Sequence, residues 1–262
     1  MDIRRQSVVR YITPLREGGS LPALVEADDG FDYVLKFRGA GHGKKALIAE
    51  FIGGEVARRL GFKVPELVFL DVDARFGITE PDEEIQDLLR ASHGLNIGMH
   101  FLSGALTLDP YINPVDALTA SRIVWLDAFL TNVDRTAMNT NMLLWHGNEV
   151  WLIDHGASLY FHHSWRNADT APLDRFSFIK RHALLHKASR LEEVDCDFKC
   201  RITNGDFMEI TDAIPTEWLE WEDEGITAEE IRAVYLRYLC QRLENSNIFV
   251  NEAINVRRES LI

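Results

Sequence analysis

The stretch from Asn132 to Gly156, NVDRTAMNTNMLLWHGNEVWLIDHG, decides how this chain is read. Two short apolar runs, Met142 to Trp145 and Val150 to Ile153, flank His146-Gly147-Asn148-Glu149 and read as a tight β-hairpin. Upstream, apolar residues recur through Leu118, Val124, Leu126 and Phe129 and stop at Asn132, so Asp134 and Asn139 fall on a loop that follows a helix. Asp154 closes the second strand of the hairpin, two residues before Gly156 in the run Asp154-His155-Gly156. This spacing can bring three oxygen donors to one point. Such a set suits Mg²⁺, a hard ion that takes carboxylate and amide oxygens and completes its shell with water and phosphate. Asp154 and Asn139 are the expected metal ligands, and Asp134 is the group placed to orient an attacking hydroxyl and accept its proton. Phosphoryl transfer is the reaction that most needs this combination.

Downstream of the hairpin the chain reads as mostly helical, with helices expected over Phe176 to Glu193 and Ala228 to Leu243. The helix before Asn132 is expected to start at Asn113-Pro114, an N-cap followed by proline in the first turn. The first hundred residues have another character. Leu21 to Glu26 and Tyr33 to Arg38 are β-rich runs around the turn signal Asp28-Asp29-Gly30 and suggest an antiparallel pair. A helix fits Lys44 to Leu60, ended by Gly61 and barred from continuing by Pro65. Glu66 to Val72 reads as another strand, and Pro81 to Leu89 reads as either a helix or an acidic loop.

The expected architecture is therefore α+β. A small β-rich lobe with one helix occupies residues 1–103, and a larger, mainly helical lobe occupies residues 104–262. A length of 262 residues with 46% hydrophobic and 26% charged residues supports a sizeable core and excludes a disordered chain. The formal net charge of −13 repels polyanions, so no direct nucleic-acid or membrane-surface partner is expected. Three cysteines cannot pair off into a disulfide framework, and no apolar run resembles a signal peptide or a membrane span, so the cytoplasm is the expected location.

Asp134-x4-Asn139, the hairpin and Asp154-His155-Gly156 resemble the catalytic and metal-binding loops of the protein-kinase-like superfamily. The wider run, Asn132-x-Asp134-Arg135 with Ile153-Asp154-His155-Gly156, is most similar to HipA-like kinases, bacterial serine/threonine kinases that include toxins of toxin–antitoxin pairs. The resemblance spans roughly residues 15 to 165. It implies a bilobal kinase fold, ATP and Mg²⁺ as cofactors, a protein substrate, and an antitoxin as a conceivable partner, in a short form with no additional N-terminal domain. It also implies an ATP-positioning lysine, for which Lys36 in Tyr33-Val-Leu-Lys-Phe37 is the candidate, held by Glu50 or Glu55. Glu50 is favoured, because Glu55 already has Arg58 and Arg59 beside it. Gly18, Gly19 and Ser20 would offer backbone amides to phosphates, and Phe101 and Leu102 would form the adenine-contacting hinge. The chain departs from related patterns with Thr136 two positions after the aspartate, Asn132 two before it, and His155 in the metal loop. A small-molecule kinase of the aminoglycoside or lipid-headgroup type shares the same residues, and a catalytically silent nucleotide-binding scaffold is the reading from outside enzymes.

Other signals carry less. His182 and His186 have zinc-compatible helical spacing but basic neighbours, Cys196-x3-Cys200 lacks a second pair, His162-His163 reads as a solvated loop pair, and Glu217 to Glu230 reads as a solvated acidic face with Trp218 and Trp221 turned inward.

Overall fold

A computed structural model describes residues 1–15, 21–41, 43–77, 82–220 and 225–260. The β-rich lobe is a closed five-stranded barrel, ordered β1 (Arg5–Pro14), β2 (Ala23–Ala27), β3 (Asp32–Lys36), β5 (Gly94–His100) and β4 (Leu67–Val72). β2 and β3 pair antiparallel around the Asp28-Asp29-Gly30 turn, where Gly30 takes φ 79°. The barrel closes through a parallel pairing of β1 with β4. Closure removes free strand edges, and the alternating residues of β2 and β3 fill the interior with Ala23, Val25, Tyr33 and Leu35.

Helix α1 (Gly43–Arg59) crosses from the barrel toward the helical lobe. Its end is the one expected: Gly61 at φ 82° donates to the Arg58 carbonyl and Phe62 to that of Ala57, a left-handed cap for which glycine carries no Cβ penalty. The acidic segment that reads as helix or loop is helix α2 (Glu83–Ala91), capped by Asp82, so the β-rich lobe carries two α-helices rather than one.

The chain passes from barrel to helical lobe between His100 and β6 (Leu106–Thr107), which adds to the expected hairpin of β7 (Met142–Trp145) and β8 (Glu149–Leu152). Helix α3 (Ala117–Leu130) begins later than the Asn113-Pro114 signal suggests. Asp116 is the N-cap, accepting from the amides of Leu118 and Thr119, while Asn113 accepts from the Asp109 amide in the preceding turn. α3 is buried on nearly every face and forms the spine of this lobe, with Trp125 and Phe129 stacked at 5.2 Å. α4 (Leu191–Arg201), α5 (Asn204–Asp212), α6 (Ala228–Glu244) and α7 (Asn247–Glu259) pack around it.

The helix expected over Phe176 to Glu193 is not formed. That segment is a chain of 3-10 turns, Ser177–Arg181 and Leu185–Lys187, before α4 begins at Leu191. Its backbone is committed elsewhere: the Ala183 amide donates to the Arg135 carbonyl and the Leu184 amide to His182 Nδ1. Bonds to the loop at Arg135 thus override a helical apolar spacing.

Part of the helical lobe reaches back over the barrel. After α5, a 3-10 turn over Thr216–Trp218 plants Trp218, fully buried, edge-on against Phe69, with its indole N–H on the Leu95 carbonyl at 2.9 Å. Glu217 pairs with Arg38, Lys44 donates to the Glu220 carbonyl, and Arg59 at the far end of α1 pairs with Asp206 and Glu209 of α5. The inward Trp218 matches the reading of the acidic run; Trp221 lies outside the described residues.

Candidate active site

β3 ends at Lys36, whose ammonium reaches into the space between the lobes. It donates to Glu50 Oε2 of α1 at 2.9 Å and to Asp154 Oδ1 at 2.5 Å, joining residues 118 positions apart in sequence. Glu50 is buried and also accepts from the His155 amide at 2.9 Å, which ties α1 to the loop after β8. Glu55 instead pairs with Arg58 on its own helix. Gly53 permits this approach, because a Cβ there would stand 2.6 Å from the His155 Cβ.

One ammonium serves two carboxylates, and the electrostatics follow. Burial alone would lower Lys36, but the charges of Asp154 and Glu50 outweigh it and hold the amine above its ordinary range. Burial drives Glu50 upward, with the Asp154 charge adding to it against the pull of Lys36. Asp154 is held below its ordinary value because Lys36 outweighs burial, and its side chain keeps 41% exposure toward the cleft. Its backbone is left-handed at φ 57°, a strained setting for a residue with a Cβ. His155 is pushed down to about 3, first by burial and then by the Arg135 charge, so it is neutral and packs as an apolar residue would.

The loop after α3 is built on a second buried cluster. Asp127 of α3 receives Arg135 Nε at 2.6 Å and His182 Nε2 at 2.8 Å on one oxygen and Asn132 Nδ2 at 3.0 Å on the other. Because His182 Nδ1 accepts from Leu184, its proton sits on Nε2 and the ring donates to Asp127. Despite burial, Arg135 and His182 hold the Asp127 carboxyl down at about 2. Arg135 also reaches the carbonyls of Asn141 and, at 3.4 Å, Ile153, fastening the loop to both strands of the hairpin.

This frame holds Asp134, half-buried, beside Asn139 and Asn141, which line the cleft. Asp134 Oδ2 accepts from Asn139 Nδ2 at 2.7 Å and from Asn141 Nδ2 at 3.3 Å. Burial pushes the Asp134 carboxyl above its ordinary range and the Asp154 charge adds to this, against the amides of the two asparagines. Asn141 is a cleft residue that the five-residue spacing to Asn139 passes over. The signal for it in the sequence is its position directly before the apolar run of β7.

The cleft between the lobes has a volume of about 1040 Å³, and its walls include Val34, Lys36, Met99, Leu102, Asn141 and Asp154. Phe101 and Leu102 line it where the chain leaves β5, and the Phe101 amide is already given to the Asp32 carbonyl at 2.9 Å. Gly18, Gly19 and Ser20 lie outside the described residues. Among the described residues no three His, Cys, Asp or Glu side chains converge as a self-sufficient metal site. The donors at the cleft are instead Asp154 and the amides of Asn139 and Asn141, with the Asp134 carboxylate bonded to both asparagines, all hard donors. They fit an ion such as Mg²⁺ that is held by few protein oxygens and completes its shell from solvent and phosphate.

Neither histidine pair noted in the sequence forms a site. His182 belongs to the Asp127 cluster, and His186 is exposed and stacked on Tyr111, so they form no pair. His162 is fully buried rather than solvated, bonded to Tyr235 at 3.0 Å, and its carbonyl accepts from Lys45 of α1. Cys196, Cys200 and Cys240 are free thiols.

A barrel lobe whose lysine is held by a helix glutamate, joined to a helical lobe carrying the loops of Asp134 and Asp154, is the fold of protein kinases. The HipA-like kinase family model matches residues 8–252, and the chain belongs to that family and is a kinase. The crystal structure of the Helicobacter pylori proinflammatory kinase CtkA matches with a TM-score of 0.56 at 11% identity, covering 98% of this chain and 99% of that one. A Golgi casein kinase with Mn/ADP bound matches with a TM-score of 0.45 at 13% identity, covering 95% of this chain and 73% of that one. No curated protein sequence matches. At its low identity the CtkA structure speaks for the fold alone.

Proposed function

We propose that this kinase transfers the γ-phosphoryl group of ATP, with Mg²⁺, to a serine or threonine hydroxyl of a protein in the cytoplasm. The observation that carries the reading is Lys36 bridging Glu50 of the β-rich lobe and Asp154 of the helical lobe. In this reading residues 1–103 grip the nucleotide and residues 104–262 handle metal and acceptor. Lys36, oriented by Glu50, holds the α and β phosphates. Gly18, Gly19 and Ser20 cover the phosphates, and the Phe101–Leu102 segment borders the adenine. Asp154 and an asparagine of the Asp134 loop hold the metal, which when bound supplies positive charge against the phosphate oxygens. Asp134 orients the acceptor hydroxyl and takes its proton, a task suited to a carboxyl that burial holds above its ordinary range. Rate enhancement then comes from position and charge. Free thiols and the lack, among the described residues, of a helix long and apolar enough to cross a membrane support the location.

Incubation with labelled ATP and Mg²⁺ tests this. Asp154→Ala is expected to lose metal-dependent nucleotide binding, and Asp134→Asn to keep binding but lose turnover by roughly a thousandfold or more. Label confined to small molecules would overturn the protein acceptor. Undiminished turnover in both variants would overturn the mechanism.

A further inference from the structure

In a chain with 41 Asp and Glu against 28 Lys and Arg, a surface cation has acids to spare around it, and many find one. Arg5 pairs with Asp71, Arg190 with Glu193, Arg201 with Asp197 and Arg237 with Asp169. Lys180, Arg181 and Arg258 are exposed and pair with no carboxylate among the described residues. These exceptions fall on elements that pack on one another. Lys180 and Arg181 end the 3-10 turn Ser177–Arg181, and Arg258 lies in the last turn of α7, which packs against that turn and against the next one, Leu185–Lys187. Arg257, its neighbour, donates to the His186 carbonyl at 3.3 Å, and Glu259 is the exposed acid at that end of the helix. His186 registers the local field: burial lowers it first, and the charges of Lys187 and Arg257 lower it further.

This basic surface meets the cleft at two places. Thr136, two residues after Asp134, bridges to His182, and the Ala183 amide donates to the Arg135 carbonyl at 3.1 Å, so Arg181 adjoins the segment bonded to the Asp134 loop. At the other place Lys187 donates to the Pro110 carbonyl at 2.5 Å and His186 stacks on Tyr111, and both Pro110 and Tyr111 line the cleft. Tyr111 is 78% exposed and Phe178, in the same turn as Lys180, is 51% exposed, so apolar surface lies among the charges. The sign of the field reverses over this short path. Asp154 makes the cleft repel acids that reach it without a cation, while the cations beside it attract them. A chain crossing from one to the other is held with its acids outside the cleft.

We infer that the surface of Lys180, Arg181 and Arg258 holds an acidic segment of the protein substrate that flanks the acceptor serine or threonine. This rests on the phosphotransferase reading above. A long polyanion meets the net charge of −13 of the whole chain, whereas a short acidic segment responds to charges within a screening length, about 8 Å at physiological salt. The test uses the full chain, a fluorescent serine peptide flanked by aspartates, and the same peptide flanked by asparagines. Duplex DNA and phosphatidylserine vesicles are the competing anions. The variant is the combined charge reversal Lys180→Glu, Arg181→Glu and Arg258→Glu, with the three glutamine substitutions as a milder second set. Binding is read by anisotropy without nucleotide, and phosphorylation separately with labelled ATP. Wild type should prefer the aspartate peptide, and the reversal should weaken that peptide by about tenfold or more while leaving the asparagine peptide unchanged. In turnover the loss should appear as a raised KM for the aspartate peptide at constant kcat. Equal binding of the two peptides by wild type, undiminished binding by both variants, or binding of DNA or vesicles in place of the peptide overturns the inference. A wild-type chain that binds the aspartate peptide through these residues but transfers label to no acceptor would instead overturn the phosphotransferase reading.

Discussion

The two buried ionic clusters of this kinase are made from the same ingredients and differ in balance. Around Asp127, one carboxylate meets one guanidinium and a neutral imidazole, with an asparagine amide on its other oxygen, and Asp127 and Arg135 have no exposed side-chain surface. Around Lys36, one ammonium meets two carboxylates, and Asp154 opens to the cleft. The first cluster is charge-matched and closed, which suits a frame. The second carries surplus negative charge at an accessible face, which suits a site for a further cation. The difference shows in the carboxyls themselves: Asp127 is pulled down to about 2, while Glu50 is pushed up.

Removing the cation from each cluster should separate them. Arg135→Met leaves Asp127 charged in a closed interior and is expected to cost about 3–5 kcal/mol of stability in denaturant unfolding. Equal stability of variant and wild type would show that the Asp127 cluster is not a frame. Acid gives a smaller effect with a definite sign. The folded Asp127 carboxyl lies below its ordinary value of 3.8, so its contribution is present above that pH and is lost as pH falls through about 2. The amount is about 2 kcal/mol, and in Arg135→Met the acid loss should begin at higher pH. Lys36→Met should have the smallest effect on stability, about 1 kcal/mol, because Glu50 can take up a proton and keep its bond from His155. A loss as large as that of Arg135→Met would erase the distinction between the clusters.

The core of the candidate site was readable because its residues sit where strands end. Lys36, Asp154 and the hairpin follow from short apolar runs bounded by turn residues, and α1 follows from its glycine cap. What escaped was set by contacts distant in sequence. β1 exposes much of its length and is fixed by pairing with β2 and β4. β5 is buried from Leu95 to Met99 and carries no alternation to read, with Gly98 making room for Leu70. The 3-10 chain around His182 answers to Arg135 and Asp127, which its own apolar pattern does not encode. Asn141 lies two positions beyond the five-residue spacing, so that spacing does not single it out, although it too bonds Asp134.

The Trp218 anchor has a mechanical consequence. A lobe attached at one connection can swing about it, whereas a lobe attached at two can only shear or stay. Here the second attachment is on the side of the barrel that carries α1, and α1 is itself tied at Lys44, Lys45 and Arg59 to three separate parts of the helical lobe. Moving that helix outward would require drawing an indole from a dry socket and breaking those ties together. A device that silences the enzyme by rotating α1 would have to work against all of them, so control is more cheaply exercised at the mouth of the cleft.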